Sequence, residues 1–155
     1  MLLRLSRRLG IALGGAVITA LALQGVAAAD VLHRFAADSG DRCGYGYTVG
    51  HMTWSSSAPV VGVSGSVVDN PADRTFPCRD DGRISVAQFV AFGLNGTAVD
   101  RQAARADNGQ QDFAFRLGSN TSAARIAAVT VQVCRYSTNS VPDYCGETRT
   151  YRNPL

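Results

Sequence analysis

The sequence predicts a single all-β domain, an antiparallel β-sandwich (Ig-like or jelly-roll-like) or a small barrel, held by two disulfides. Apolar and polar residues alternate in about seven short segments, which is the pattern of strands with one buried face. Gly, Pro, Asn and Asp separate these segments at intervals of about ten to fifteen residues, as in antiparallel sandwiches. The third observation is an even set of cysteines: Cys43, Cys78, Cys134 and Cys145.

The first half of the domain is predicted to hold two strands. Residues 30–41 form a polar lead-in with two anchors, His33 and Phe35. "YGYTVGHMTW" follows as a strand because its alternate residues share one face, and "SSSAP" ends it as a turn. "VVGVSGSVVDN" resumes the alternation before a long loop of Pro, Gly and Asp residues. The in-phase residues are Tyr45, Tyr47, Val49 and His51 in the first strand and Val61, Val63 and Val67 in the second.

The second half is predicted to hold the remaining strands. "TAVDRQAARAD" is rich in Ala and Arg, which favour helices, but it lacks a long apolar stripe. We therefore expect one helical turn there at most, beside a short strand around Ala98. "CGETRTYRN" supplies the last strand. The other segments place on one face Ile84, Val86, Val90 and Phe92; Phe113, Phe115 and Leu117; and Ala127, Val129, Val131 and Val133.

The first 29 residues have the three parts of a secretory signal peptide. A basic region, an apolar run and a small-residue cleavage site follow one another as Arg4, Arg7 and Arg8, then Leu9 to Val26, then Ala27 to Ala29. An uncleaved membrane anchor is the alternative, since the run is close to spanning length. We favour cleavage because the run is rich in Gly and Ala. The sequence thus predicts a signal peptide at 1–29 and a secreted β-domain at 30–155.

Charge restricts the classes of partner. Cleavage would remove three of the 15 cationic residues and none of the 12 acidic ones, leaving twelve of each. A domain of zero net charge lacks the cationic excess that nucleic-acid binding requires and has no electrostatic attraction to an acidic membrane. Every cationic residue is Arg, which with the richness in Ala, Gly and Val indicates a GC-rich bacterial genome. The sequence does not indicate an oligomeric state.

The cysteines predict disulfides, since an even count in an exported chain is typical of them. We expect Cys134–Cys145 across a hairpin, where cross-strand neighbours lie within disulfide range. Cys43–Cys78 then follows by elimination. A zinc site is the alternative, but no CxxC spacing is present. We expect neither a metal nor a cofactor.

The loop 135–144, "RYSTNSVPDY", is the candidate binding loop. Its contact residues would be Arg135, Tyr136, Pro142 and Tyr144. Tyr and Arg supply contact area in binding loops while Ser and Asn adapt, and a disulfide at the base would reduce the ordering cost of binding. The alternative is a solvated hairpin loop that binds nothing. From the composition of residues 135–144 alone, this alternative is favoured over a binding loop.

Catalytic and metal sites have weaker support. His51 beside Ser55, Ser56 or Ser57 would be needed for a hydrolase, but no GxSxG motif is present, and serines next to a proline suit a turn. We therefore assign no catalytic residue. An oxygen-rich loop could bind calcium, although interleaved arginines would pair with its acids. Its oxygen ligands would come from Asp69, Asn70, Asp73, Asp80 and Asp81.

The sequence therefore favours a non-enzymatic extracellular module that binds a protein or a glycan. Exposed aromatic residues could form a glycan platform, the candidates being Trp54, Tyr45 and Tyr47, although core packing is their commoner use. A small secreted protease inhibitor presenting the loop 135–144 is the first alternative, and a small secreted hydrolase is the second.

Overall fold

The computed structural model describes residues 29–41, 43–69, 81–118, 125–137 and 141–155. All but the last residue of the predicted signal peptide lies outside these ranges. Within them, no helix is long and apolar enough to cross a membrane.

Two antiparallel sheets make up the described chain, as the alternation predicts. The first sheet has the order β1-β2-β3-β6, and the second has the order β5-β4-β7, with both β8 and β9 paired to β7. The strands are β1 (Val31–Asp38), β2 (Gly46–Trp54), β3 (Val60–Asp69), β4 (Ile84–Gly93), β5 (Ala98–Ala106), β6 (Gly109–Gly118), β7 (Ile126–Tyr136), β8 (Tyr144–Cys145) and β9 (Arg149–Arg152). The all-β class and the two-sheet, sandwich-like arrangement are thereby confirmed.

The core lies between the sheets and is built from every second residue of the central strands. β7 buries Val129, Val131 and Val133, and β3 buries Val61, Val63 and Val67. An aromatic cluster fills the middle: the Phe89 ring lies 5.3 Å from that of Phe113 and 5.2 Å from that of Phe115, in edge-to-face geometry. Such pairs stabilise a core beyond the area they bury.

Two segments differ from the sequence-based expectation. The predicted lead-in at 30–41 is a strand, β1, whose Phe35 and Ala37 face the core while Arg34 and Ala36 are exposed. The alternation is hard to recognise because the outer phase includes the apolar residues Leu32 and Ala36, whereas the inward phase includes the polar residue His33. The segment predicted to allow one helical turn lies in β5, which is paired along its length with β4; pairing overrides the helix propensity of its Ala and Arg residues.

One of the two predicted disulfides is present among the described residues. Cys134 and Cys145 are directly opposite in the β7–β8 pair and are bonded. Cys78, the expected partner of Cys43, lies outside the described residues, so the second disulfide stays a prediction.

Candidate functional site

The hairpin of β7 and β8 is braced at its base by covalent and hydrogen bonds. The Cys134–Cys145 disulfide closes it, and the next residue pair is Arg135 opposite Tyr144. One step further, the Asp143 backbone N–H donates to the Arg135 carbonyl at 2.8 Å. The loop beyond this point therefore starts from a fixed geometry.

Asp143 ties the loop to the neighbouring strand connection. Its Oδ2 accepts a hydrogen bond from Arg83 Nε at 2.6 Å, and its Oδ1 accepts one from the Ser137 hydroxyl at 2.9 Å. These two bonds, that of Arg83 first, lower the pKa of Asp143. The carboxylate stays ionised through the neutral range and holds both sides of the loop together.

Three of the four predicted contact residues lie on or beside this loop. Pro142 and Tyr144 are half-buried, and the Arg83 guanidinium lies 5.9 Å from the centre of the Tyr144 ring. Tyr136 is also half-buried, and its hydroxyl accepts a hydrogen bond from Gln88 Nε2 at 2.7 Å. Between them, Val141 is 67% exposed, an apolar side chain that composition alone did not single out. Residues 138–140 lie outside the described ranges.

Arg135, the fourth predicted contact residue, faces the opposite way. It is only 1% exposed, and its Nη2 forms an ion pair with Asp81 Oδ1 at 2.6 Å. Its Nη1 forms an ion pair with Asp69. The side chain points into the sandwich rather than into the loop because Arg135 continues the inward phase of β7. Assigning it to the contact surface of the loop was therefore wrong.

The buried ion pair connects the two sheets. Asp69 ends β3 in the first sheet, whereas Ser85 and Arg135 belong to the second. Asp69 also accepts hydrogen bonds from the Ser85 hydroxyl at 3.2 Å and from the Asn108 backbone N–H at 3.1 Å. Burial by itself lowers the pKa of Arg135, but the hydrogen bond and charge of Asp69, followed by those of Asp81, outweigh it and raise the pKa.

The buried ion pair bears on the calcium site that the sequence allowed in this region. The Arg135 guanidinium takes the place that a cation would occupy between Asp69 and Asp81. In the part of the chain that the structure describes, no group of three or more His, Cys, Asp or Glu residues is arranged to hold a metal ion. Asn70, Asp73 and Asp80 lie outside the described residues.

The sequence contains a signal for this cluster. Arg135 is two residues after Val133 and shares the phase of the buried valines of β7, and Asp69 stands in the same relation to Val67. A charged residue in an inward phase of one strand predicts an oppositely charged one in an inward phase of another, since buried charges are paired.

The hydrolase candidates are not brought together. His51 is exposed on the outer face of the first sheet, whereas Ser55 to Ser57 follow the end of β2 in a turn. The Ser56 backbone N–H donates to Asp30 Oδ1 at 3.0 Å, which secures that turn to the start of β1. No hydrogen bond joins His51 to a serine or a carboxylate within the described ranges.

The three aromatic residues considered for a glycan platform do not share a surface. Trp54 is 1% exposed and belongs to the core, which rules it out as a platform residue. The Tyr45 ring lies 5.4 Å from the Arg135 guanidinium carbon, and Tyr47 alone is well exposed, at 38%.

Comparison with known proteins gives one structural match. No protein-family model matches the chain, and no curated protein matches it. The crystal structure of an endonuclease/exonuclease/phosphatase from Beutenbergia cavernae aligns at 15% sequence identity with a TM-score of 0.43. The alignment covers 79% of this chain and 27% of that chain, so this chain spans about a quarter of the length of the matched protein.

Proposed function

We propose that the chain is an exported, non-enzymatic binding module that presents the hairpin loop 137–143 to an extracellular protein or glycan. The observation that carries the proposal is the combination of a fixed base with an exposed apolar tip. The disulfide and the Asp143 contacts restrain the loop, and Val141 is 67% exposed within it.

Restraint matters because binding a mobile loop carries an ordering cost. Immobilising a flexible side chain or loop on binding costs about 0.5–1.5 kcal/mol per ordered side chain. Restraint of the two ends of the loop by the disulfide and by Asp143 before binding avoids part of that cost. Half-buried Tyr144, three residues after Val141 in the sequence, adds aromatic contact area of the kind common in binding loops.

Export belongs to the same proposal. The Cys134–Cys145 bond supports it, because disulfides persist in oxidising compartments. The signal peptide predicted at 1–29 and the predicted Cys43–Cys78 disulfide are parts of the same proposal. The finer description of the fold, Ig-like or jelly-roll-like, is part of this proposal too. Non-reducing mass spectrometry of the exported protein verifies the N-terminus at Asp30 and both disulfide pairs before any binding measurement.

The experiment uses the mature protein with two variants of matched chemistry. Val141→Asp places a charge on the loop, and Leu32→Asp places one on β1, where Leu32 is 62% exposed. Both are screened against a glycan array and against broad-specificity serine proteases. We expect one class to bind the parent protein and to bind Val141→Asp at least about tenfold more weakly, as for an interface hot spot, with Leu32→Asp unchanged. Binding that both variants retain would refute the proposal.

The protease panel also distinguishes a protease inhibitor from a glycan-binding module. A braced loop with an exposed apolar residue is what a substrate-like inhibitor requires, so the Cys134–Cys145 bond favours testing it. Competitive inhibition that Val141→Asp abolishes would identify an inhibitor. Glycan binding without inhibition would identify a glycan-binding module.

A further inference from the structure

A cleft lies at the end of the sandwich opposite the hairpin loop. Its volume is about 420 Å³, and it is bounded by the end of β2, the turn that follows, the start of β7 and the chain after β9. Pockets that hold small organic ligands fall in the range of about 300–1,000 Å³. The turn contributes the lining residues Ser55, Ser56, Ser57, Ala58 and Pro59.

One side of the cleft is apolar. Trp54, Val61 and Ile126 line it, and each of them belongs to the hydrophobic core. Trp54 Nε1 is buried and has no hydrogen-bond partner in the described part of the chain. Because these side chains are fixed by the core, this wall is preformed.

The other side has more hydrogen-bond donors than acceptors. Arg125 lines it, is exposed, and has no ion pair among the residues that the structure describes. The Ser55 and Ser57 hydroxyls are 3.4 Å apart, a long contact from which either can turn to a ligand. The Asn153 amide is already engaged, donating to the Ile126 carbonyl at 2.8 Å and accepting from the Leu155 N–H at 2.9 Å.

We propose that this cleft binds a small organic carboxylate with an apolar body. Arg125 pairs with the carboxylate, because its planar guanidinium matches two carboxylate oxygens. The hydroxyls of Ser55 and Ser57 donate the remaining hydrogen bonds. The apolar body lies against half-buried Pro59 and Val60, in the cleft that Trp54 also lines. This site is separate from the hairpin loop and does not depend on the function proposed for it.

The geometry favours an organic carboxylate over inorganic anions. A sulfate or phosphate ion would satisfy Arg125 but would leave uncovered the half-buried apolar residues that also line the cleft, Ala58, Pro59 and Val60, forgoing their hydrophobic contribution. A neutral alcohol of the same length would cover the wall but leave the guanidinium without its counter-charge. Only a ligand with both parts uses both sides.

Trp54 provides the measurement, since it is the sole tryptophan of the chain and lines the cleft. Hexanoate and N-acetyl-leucine serve as carboxylate probes, which distinguishes a fatty-acid source from an acylated amino acid. Hexan-1-ol and N-acetyl-leucinamide are the uncharged counterparts, and sulfate tests the charge alone. We expect a saturable change in Trp54 fluorescence with at least one carboxylate, and about tenfold weaker responses with its uncharged counterpart and with sulfate.

Two arginine variants locate the site. Arg125→Gln should weaken carboxylate binding by about tenfold, and Arg101→Gln, which removes an exposed charge from β5, should leave it unchanged. Ala58→Leu, which narrows the cleft without touching a charge, should also weaken binding. Circular dichroism and thermal unfolding of each variant establish that it is folded.

Three results would overturn the proposal: no saturable fluorescence change with either carboxylate up to about 10 mM, well above the weak-binding regime; equal responses to acid and alcohol; or a response that Arg125→Gln and Arg101→Gln share. None of these outcomes bears on Val141, so a failure here leaves the loop proposal standing, and the reverse holds as well.

Discussion

Arg135 and Asp69 form a buried ion pair that joins the second sheet to the first. Arg135 is 1% exposed, and its guanidinium contacts Asp69, Asp81 and Ser85. A buried charge is tolerated only when it is paired and hydrogen-bonded. Removing Asp69 alone would leave the buried guanidinium with Asp81 as its single carboxylate partner, which costs more stability than removing the guanidinium together with Asp69.

Asp69→Ala is accordingly expected to lower the free energy of unfolding by about 2–3 kcal/mol, less than for a fully unpaired buried charge, because Asp81 still pairs with Arg135. The double variant Asp69→Ala with Arg135→Leu should recover part of that loss because the core then no longer holds a guanidinium that has lost one of its two carboxylate partners. Asp112→Ala, which alters an exposed aspartate of β6, is the control and should change stability by no more than about 0.5 kcal/mol. Urea unfolding of the three variants decides the matter; a single variant as stable as the control would contradict the pairing argument.

The same residues explain the limits of sequence analysis at the candidate site. The composition of the loop led to Arg135 as a contact residue, while the phase of β7 points it inward, and phase prevails in a buried strand. The exposure of Val141 lies outside any strand alternation, so no local pattern specifies it. The Cys134–Cys145 pair was predictable because the two cysteines flank a short hairpin.

At the scale of the elements, the packing of the first sheet depends on two glycines. They lie in a row of four residues that runs across the four strands of this sheet. Phe35 of β1 is opposite Gly50 of β2, which is opposite Gly65 of β3, which is opposite Phe113 of β6. The two phenylalanine rings are stacked with their centres 6.5 Å apart. The glycines, having no side chains, leave the inner face of the middle strands open for the rings of the outer strands.

Gly50→Ala should therefore destabilise the sheet by about 1–3 kcal/mol, as overpacking does. A Cβ at this position would meet the Ser64 carbonyl oxygen, and it would lie 2.7 Å from both Gly65 Cα and Phe35 Cζ. Gly62→Ala is the matched control on β3, since its Cβ would lie 3.8 Å from the nearest atom; it should be neutral or stabilise by up to about 1 kcal/mol. Thermal unfolding that ranks the two variants in the opposite order would contradict this packing.

This row also indicates which elements a sequence can reveal. β4 and β7 are central in their sheet and alternate strongly, so the existence of both strands was predictable. The inward residues of β7 were predictable as well. β4, in contrast, buries Ala87, Phe89 and Ala91 and not the face that carries Ile84, Val86, Val90 and Phe92, because both faces of this strand are largely apolar. β1 was missed because its exposed face mixes apolar Leu32 with charged Arg34, and because its one large buried residue, Phe35, packs opposite a glycine on another strand. That partnership is set by register across the sheet, which is not encoded within β1.

At the scale of the whole molecule, one tyrosine of the second sheet is hydrogen-bonded to the backbone of an edge strand of the first sheet. Tyr151 of β9, in the second sheet, donates its hydroxyl to the Ala36 carbonyl at 2.9 Å and accepts from the Ala36 N–H at 3.0 Å. Ala36 lies on β1, an edge strand of the first sheet. Exposed N–H and C=O groups at a sheet edge are templates for pairing with another chain. The phenol therefore links the two sheets and covers part of that edge.

Tyr151→Phe should uncover this edge while keeping the ring, which packs edge-on against Phe35 at 6.4 Å. We expect the protection of the Ala36 amide against hydrogen exchange to fall and the stability to drop by about 1 kcal/mol, the net contribution of a typical hydrogen bond. Self-association at high concentration should appear in sedimentation velocity, since two further backbone groups become available for strand pairing. Tyr47→Phe makes the same chemical change on the exposed outer face of β2 and should alter none of the three. If Tyr151→Phe behaved like Tyr47→Phe, the Tyr151 hydroxyl would not be what closes the edge.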